Sequence, residues 1–227
     1  MTPLYLYILV ASISIPLLFT AFYLDVIKHW RNFFISTTLV AAIFLAWDSV
    51  FTANGVWGFN ENYILDFTLF KMPIEEWIFF FVIPFCSLFI HFALIHTFPK
   101  LALGRKTTLY ISIVLIILSA VIIFTNISKV YTAINFAFLL ITLSLGALFH
   151  FRLLQRFFLT FLVILIPFII VNGILTGAIT DSPVVWYDDS ENLGIRLVTI
   201  PIEDFGYAFT MLFGNLMIFQ SLKGKRK

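Results

Sequence analysis

Seven apolar stretches of membrane-spanning length constrain the fold of this chain more than any other feature. A helix needs roughly 20 apolar residues to cross the hydrocarbon core of a bilayer. Only 11% of the residues are charged, against about 25% in a soluble domain. The 227 residues are therefore predicted to form a single all-α domain, a polytopic membrane protein with about seven transmembrane helices. The apolar runs cover residues 4–24, 34–53, 74–97, 108–125, 131–150, 157–178 and 203–222.

The basic residues predict the orientation of these helices. Of the 14 Lys and Arg residues, 11 follow the first, third, fifth or seventh apolar run. Lys and Arg concentrate on the cytoplasmic side of membrane proteins, so these connections are expected in the cytoplasm. Of the 12 Asp and Glu residues, only Asp25 belongs to that side. The sequence therefore predicts a multi-pass protein of the cell membrane, with its N-terminus outside and its C-terminus in the cytoplasm.

Internal repetition divides the chain into two similar parts. The hexapeptide MPIEEW at residues 72–77 matches IPIEDF at residues 200–205, and a basic turn followed by Phe-Phe opens both the second and the sixth helix. Helices 1–3 are therefore predicted to repeat as helices 5–7, with helix 4 returning the chain across the membrane. This extra crossing gives the two repeats the same orientation, so they are parallel. The predicted boundaries are residues 1–100 for the first repeat, 101–127 for the linking helix and 128–227 for the second repeat.

The repeated motif carries two neighbouring acids just inside a predicted helix. Proline suits the first turn of a helix, and carboxylates there lie near free N–H groups, so a purely structural role as helix caps is one explanation. Adjacent helical residues point about 100° apart, however, so at least one acid of each pair is expected to face inward. Carboxylates inside a membrane domain commonly mark functional sites. The four candidate catalytic residues are Glu75, Glu76, Glu203 and Asp204.

Weaker candidates for substrate binding lie nearby in the predicted topology. Asp48 ends helix 2, and Asn172 is its rough counterpart in helix 6; hydrogen bonding to a loop at the interface is the alternative for each. The rings of Trp77, Phe205 and Tyr207 fall near the outer interface. Such rings can line a pocket that stabilises a carbocation, or they can belong to an ordinary aromatic belt.

The sequence predicts no metal site and gives no sign of a cofactor. Cys86 is the only cysteine, and His91 and His96 are five residues apart, not the four that place two ligands on one helix face. Nucleotide-binding glycine motifs and an aspartate-rich diphosphate motif are missing, which leaves a bound flavin open. A net charge of +2 gives no reason to expect nucleic acid as a partner.

The doubled Pro–x–Glu–Glu/Asp pattern at the start of helices 3 and 7 resembles the membrane-integral lycopene cyclase family, over essentially the whole chain. The chain looks like the fused single-chain form, in which both halves are present. The family's acidic motif maps onto the four candidate acids without departure. The resemblance implies an intramolecular lyase or isomerase that acts on lycopene or a related linear carotenoid. It would close the ψ-end groups to rings by carboxylate-mediated proton addition and loss, with no net redox change. The β ring is the ring type expected first among the alternatives. Membrane lipids and other carotenoid enzymes are the further partners it suggests.

Three other functions remain open at this point. A transporter of a small or lipidic substrate would also have parallel repeats and intramembrane acids. A carotenoid end-group hydratase would add water where a cyclase returns a proton. A light or lipid sensor is disfavoured because helix 7 has no lysine between Phe205 and Leu222 to carry retinal. The ring type, the number of ends closed and the number of active sites are not fixed by any motif.

Overall fold

Seven helices make up most of the computed structural model, which describes residues 3–23 and 29–224. Among the described residues, six helices are long and apolar enough to cross a membrane, and the 20-residue α1 is apolar over Leu4–Phe19. The predicted all-α membrane fold is confirmed. Asp25, Lys28 and the last three residues, which the orientation argument used, lie outside the described residues. The helices are α1 (Leu4–Tyr23), α2 (Trp30–Ala53), α3 (Ile74–Thr97), α4 (Arg105–Thr125), α5 (Val130–Phe149), α6 (Phe151–Leu175) and α7 (Glu203–Gly224).

Three helices begin at least three residues before their apolar runs. Helix α2 starts at Trp30 and not at residue 34, α4 starts at Arg105 and not at residue 108, and α6 starts at Phe151 and not at residue 157. The added turns contain Arg31, Arg152 and Arg156. Arginine can lay its apolar stem along a helix while its charged head reaches the polar interface, so the helix continues past the apolar stretch.

Short strands at one end of the bundle were not predicted, since segments of two or three residues carry no readable alternation. The strand β1 pairs antiparallel with β4 and so joins the first repeat to the second. The other four strands form two hairpins, each directly before α3 or α7. The strands are β1 (Trp57–Phe59), β2 (Thr68–Leu69), β3 (Met72–Pro73), β4 (Val185–Tyr187), β5 (Arg196–Leu197) and β6 (Ile200–Pro201).

The two repeats pack as interlocked copies. In each repeat the first helix lies on the third, α1 on α3 and α5 on α7, while each middle helix packs against the other repeat, α2 on α7 and α6 on α3. The loops exchange matching backbone bonds: the N–H of Asn60 donates to the Val184 carbonyl, and that of Asp188 to the Val56 carbonyl, both at 2.9 Å. The predicted internal repeat is therefore present as an approximate two-fold arrangement. The residue boundaries given for the repeats stay predictions.

Buried polar contacts strengthen both interfaces between the repeats. His91 Nδ1 on α3 lies 2.9 Å from the Thr160 hydroxyl on α6. On the opposite side, the Asn215 amide on α7 donates to the Thr37 hydroxyl on α2, also at 2.9 Å. All four side chains are buried. Hydrogen bonds of this kind hold membrane helices together where lipid gives no hydrophobic drive for association.

Candidate active site

A β-hairpin precedes each of α3 and α7 and places the paired acids in the first turn of the helix. In the first hairpin, Phe70 and Lys71 both have positive φ, 51° and 68°, as a two-residue type I′ turn requires. Pro73 then takes an extended conformation, with φ −66° and ψ 153°, and caps α3. Matching backbone bonds run from Ile74 to Phe67 and from Ile202 to Ile195, at 3.0 and 2.9 Å. The second hairpin has positive φ only at Val198, 60°, so the two turns differ, but both acid pairs lie in the first turn of their helix.

The first acid of each pair turns toward its own loop. An oxygen of Glu75 accepts the N–H of Leu65 at 2.7 Å, and an oxygen of Glu203 accepts the N–H of Leu193 at 2.8 Å. Glu203 also accepts the hydroxyl of Thr132 at 2.6 Å. Both side chains are fully buried. These contacts tie the incoming loop to the start of the helix.

The second acid of each pair turns toward the centre of the molecule and meets a tyrosine. The Tyr5 hydroxyl donates to Glu76 at 2.6 Å, and the Tyr131 hydroxyl donates to Asp204 at 2.5 Å. The two tyrosines are equivalent, because each opens the first helix of its repeat and donates its backbone N–H to a carbonyl of the loop between the second and third helices of that repeat. Each repeat thus builds one tyrosine–carboxyl pair from its first and third helices.

Asp204 has a second phenol partner that Glu76 lacks. The Tyr187 hydroxyl donates to its other oxygen at 3.0 Å. The equivalent position in β1 is Phe59, which has no hydroxyl. Burial, and after it the nearby Asp204 carboxyl, raises the pKa of Tyr187 well above its ordinary value, so this phenol stays a donor. The Arg196 guanidinium lies 5.8 Å from the centre of the Tyr187 ring.

A third carboxyl lies between the repeats. Asp48, near the end of α2, is 3% exposed and accepts the Tyr207 hydroxyl of α7, with contacts of 3.0 and 3.2 Å to its two oxygens. Because α2 belongs to the first repeat and α7 to the second, this hydrogen bond links the two repeats.

One cavity of about 500 Å³ brings these groups together. Small-molecule sites in proteins have volumes of about 300–1,000 Å³. Apart from the groups near its carboxyl end, most of its walls are apolar side chains of α1, α3, α6 and α7. None of the described residues that line it is Lys, Arg or His. The polar and aromatic residues at its carboxyl end are Asp48, Glu76, Asp204, Asn172, Tyr5, Tyr131, Tyr187, Tyr207 and Trp57.

The predicted site residues divide into two groups. Glu76, Asp204, Asp48, Asn172 and Tyr207 line this cavity, whereas Glu75, Glu203, Trp77 and Phe205 are not among its described lining residues. The Trp77 indole donates to the Leu69 carbonyl at 3.2 Å, and the Phe205 ring packs 5.1 Å from that of Phe168. A catalytic or binding role for any of these residues stays a prediction.

Sequence reasoning did not select the tyrosines that hold Glu76 and Asp204, although it did select Tyr207, which holds Asp48. Tyr5 and Tyr131 could have been found by aligning the starts of helices 1 and 5, since both repeats begin with a tyrosine at this point. Tyr187 and Trp57 gave no such signal, because each has a different residue at the equivalent position. For metals, residues 3–23 and 29–224 contain no group of three His, Cys, Asp or Glu side chains placed to hold an ion.

The chain was compared with known families and proteins. No curated protein and no solved structure matches it. A family model described as lycopene cyclase matches residues 2–94 and 128–222, which contain α1–α3 and α5–α7 and leave out α4. Both stretches include the paired acids and the tyrosines that bind them. On this match over both repeats, the chain belongs to the lycopene cyclase family.

Proposed function

We propose that the chain is a lycopene cyclase that closes the ψ-end groups of lycopene, or of a related linear carotenoid, to β rings. The observation that carries the proposal is the single cavity in which Glu76, Asp204 and Asp48 meet beneath apolar walls. An apolar chamber suits a hydrocarbon, and carboxyls at its end supply the proton chemistry that ring closure needs. Membership of the lycopene cyclase family supports the same substrate class.

The reaction conserves every atom of the substrate, which makes the enzyme an intramolecular lyase or isomerase. A proton adds to the terminal alkene of the end group and leaves a tertiary cation. The π electrons of the neighbouring alkene then form the new ring bond, and the positive charge moves to a ring carbon. Loss of a proton from the carbon next to that charge sets the ring double bond. The protein must therefore donate one proton, stabilise a cation and accept one proton.

We assign the proton donor to Glu76 and the carboxylate to Asp204. Hydrogen bonds to the ionised form of a carboxyl favour that form. Asp204 accepts two phenols, from Tyr131 and Tyr187, whereas Glu76 accepts the single phenol of Tyr5. Two carboxylates facing one apolar cavity without a cation would repel each other, so a proton on one of them lowers the free energy of the site.

Aromatic faces beside Asp204 are suited to the cationic intermediate. The rings of Tyr131 and Tyr187 lie 5.9 Å apart and are nearly parallel, at 19°. The Trp57 ring lies edge-on to Tyr131, with 5.1 Å between ring centres. Electron-rich ring faces attract a cation, most strongly where water is excluded. Asp48, held by Tyr207, adds a further negative or dipolar group on the side of α2.

Glu75 and Glu203 are proposed to position the site and not to move protons. Each binds the backbone of the loop before its helix, and so fixes where the next residue in the chain points. Because the next residues are Glu76 and Asp204, an error in either loop would displace a reacting group. Misplacement of a catalytic group by about 1 Å can cost about a hundredfold in rate.

The direct test is expression in cells that accumulate lycopene, with the pigments separated by chromatography and identified by their absorption spectra. Wild type is expected to form cyclic carotenoids with β-ring spectra, and Glu76→Gln to leave lycopene unchanged at equal protein level in the membrane. Unchanged lycopene with folded wild type would refute lycopene as the substrate; if a related linear carotenoid also stayed unchanged, the cyclase proposal would be refuted and transport of a lipidic molecule favoured. Hydrated end groups would instead identify a hydratase.

A further inference from the structure

The cavity opens sideways, between α1 and α6. Ile15 of α1 and Ile170 of α6 both line it, yet their exposed fractions are 63% and 60%. Both residues lie well inside helices that are apolar over their length. A mouth at this level faces the hydrocarbon of the bilayer and not water, so it can pass a molecule that dissolves in lipid.

The approximate two-fold arrangement predicts a second, equivalent cavity, and that space is filled. Counting from the matched residues Tyr5 and Tyr131, the position of Ser12 in α1 corresponds to Phe138 in α5. The carbonyls of Phe51 and Leu175 accept equivalent loop N–H groups, from Val56 and Val184. Counting back from them, Val171 in α6 corresponds to Trp47 in α2.

Large rings therefore occupy one half where small side chains border the cavity in the other. Trp47 and Phe138 stack with 5.2 Å between ring centres and their planes 29° apart. Ser12 and Val171, at the equivalent positions, line the open cavity. One acid from each pair, Glu76 or Asp204, thus faces the same chamber, because the volume related to it by the two-fold axis holds aromatic side chains.

The chamber is shorter than the bilayer is thick. Its longest lining stretch on one helix runs from Glu76 to Ile90 on α3, which at about 1.5 Å per residue is roughly 21 Å along the helix. The hydrocarbon core of a bilayer is about 30 Å thick. A long linear carotenoid cannot be enclosed at this length, so one end group occupies the carboxyl end of the chamber while the rest of the molecule extends through the mouth.

We propose that the substrate enters from the bilayer between α1 and α6, one end first, and that each binding event closes a single end. The molecule leaves with its far end still linear and is closed there only after it re-enters in the opposite direction. This inference rests on the proposed function for its substrate, but the single lateral entrance rests on the cavity alone.

The first test is a time course in proteoliposomes that hold lycopene in large excess over protein. Monocyclic carotenoid is expected to accumulate first, with bicyclic carotenoid absent or appearing after a lag. Bicyclic product at the earliest times, while lycopene is still in excess, would overturn the inference, since it requires both ends to be closed in one visit.

A pair of matched variants tests the entrance. Ser12→Phe places a phenylalanine in the chamber, as Phe138 does at the equivalent position of the second repeat. This variant should slow cyclisation by about tenfold or more. Ser14→Phe, on the exposed face of the same helix, should leave the rate unchanged. If Ser12→Phe keeps half of the wild-type rate or more, a second route or site exists and the inference is wrong.

Access can be measured without catalysis through Cys86, whose thiol donates to the Ser12 carbonyl at 3.3 Å and lines the same chamber. Labelling of this thiol by N-ethylmaleimide in proteoliposomes should be slowed about tenfold by Ser12→Phe and not by Ser14→Phe. Equal labelling of the two variants would overturn the lateral entrance. Wild type could fail to cyclise lycopene while Cys86 is still labelled more slowly in Ser12→Phe than in Ser14→Phe. That result would refute the proposed function and support the lateral entrance.

Discussion

The two repeats share a backbone plan and differ in the side chains placed on it. Each holds one acid against its loop and turns the next toward a tyrosine. The second repeat adds Tyr187 beside Asp204, where the first has Phe59 beside Glu76. The duplication thus supplies two similar carboxyls, and the divergence of their neighbours allows one to hold a proton while the other carries a charge.

The same divergence decides how many sites form. An exact two-fold copy would have the chamber on both sides of the axis or on neither. Here Ser12 and Val171 leave space on one side, while Phe138 and Trp47 pack the other. Glu76 and Asp204, one acid from each pair, can therefore act on one end group. The differences between the repeats, more than their likeness, account for a single asymmetric site.

The largest effect is expected from the two acids that face the cavity. Glu76→Gln and Asp204→Asn each remove a group proposed to move a proton, and general acid–base catalysis is worth about 10²–10⁴ in rate. Cyclisation in isolated membranes should fall by that amount. The matched controls Glu75→Gln and Glu203→Gln keep an oxygen that can accept the loop N–H, so they should lose less than about tenfold. Similar losses of rate in all four variants would contradict the different roles proposed for the two acids of each pair.

The tyrosines test the difference between Asp204 and Glu76. Tyr187→Phe removes one donor from Asp204, and a hydrogen bond to a charged group is worth about 1.5–3 kcal/mol, so the rate should fall about tenfold to a hundredfold. The reciprocal change Phe59→Tyr adds a phenol on the side of Glu76 and should also slow the reaction, by holding that proton donor in its ionised form. A faster Phe59→Tyr enzyme would reverse the assignment of acid and base.

The loop-binding acids allow a comparison of stability between the repeats. Glu75→Ala leaves the N–H of Leu65 without its acceptor, which should lower the free energy of unfolding by about 1–3 kcal/mol. Glu203→Ala removes the acceptor of both Leu193 and the Thr132 hydroxyl, so its loss should be larger. Denaturant unfolding in detergent measures both. Equal losses would show that the added hydroxyl bond contributes nothing.

The smallest effect is expected in the loop between α6 and α7. Arg196 donates to Asp189 at 2.5 Å and holds the pKa of that acid below its ordinary value of 3.8. Because the folded-state pKa is the lower one, the pair stabilises the protein above pH 3.8 and this contribution is lost as the pH falls through the folded-state pKa. Asp189 is 60% exposed, so solvent screening limits the contribution to about 0–1 kcal/mol.

Asp189→Asn should accordingly lower the unfolding temperature slightly at pH 7, and this difference should shrink as the pH falls below 3.8 toward the lowered pKa of the folded state. Asp181→Asn, at an exposed acid of the same outer connection, is the control. If the difference in unfolding temperature between wild type and Asp189→Asn grew on acidification, it would contradict a lowered pKa of Asp189 in the folded state.

Much of the fold could be predicted because a membrane helix is recognisable in the sequence as an apolar run of about 20 residues. Six of the seven predicted runs meet the criteria for a membrane span among the described residues, and the matching hexapeptides revealed the repeat. The starts of α2 and α6 were displaced because arginine extends a helix into the polar interface. The β1–β4 pairing depends on contact between distant loops, which no local pattern reports.

The candidate site was predicted only in part, for a physical reason. The sequence marked four acids, but the direction in which Glu75 and Glu76 point depends on the loop that meets the helix, and not on their spacing. Tyr187 contacts Asp204 only because its strand pairs with one from the other repeat. The cavity was invisible in the sequence, since it arises where small residues at matched positions replace large ones.

The most direct measurement follows the proton. Membranes equilibrated in D₂O, with protein in excess over lycopene so that each site turns over once, should form cyclic carotenoid that carries one deuterium per ring. The label is retained because the proton is lost from a different carbon from the one that receives it. Cyclic product without deuterium would contradict protonation by a carboxyl that exchanges with solvent. A product heavier by a whole water molecule would show that the chain hydrates the end group.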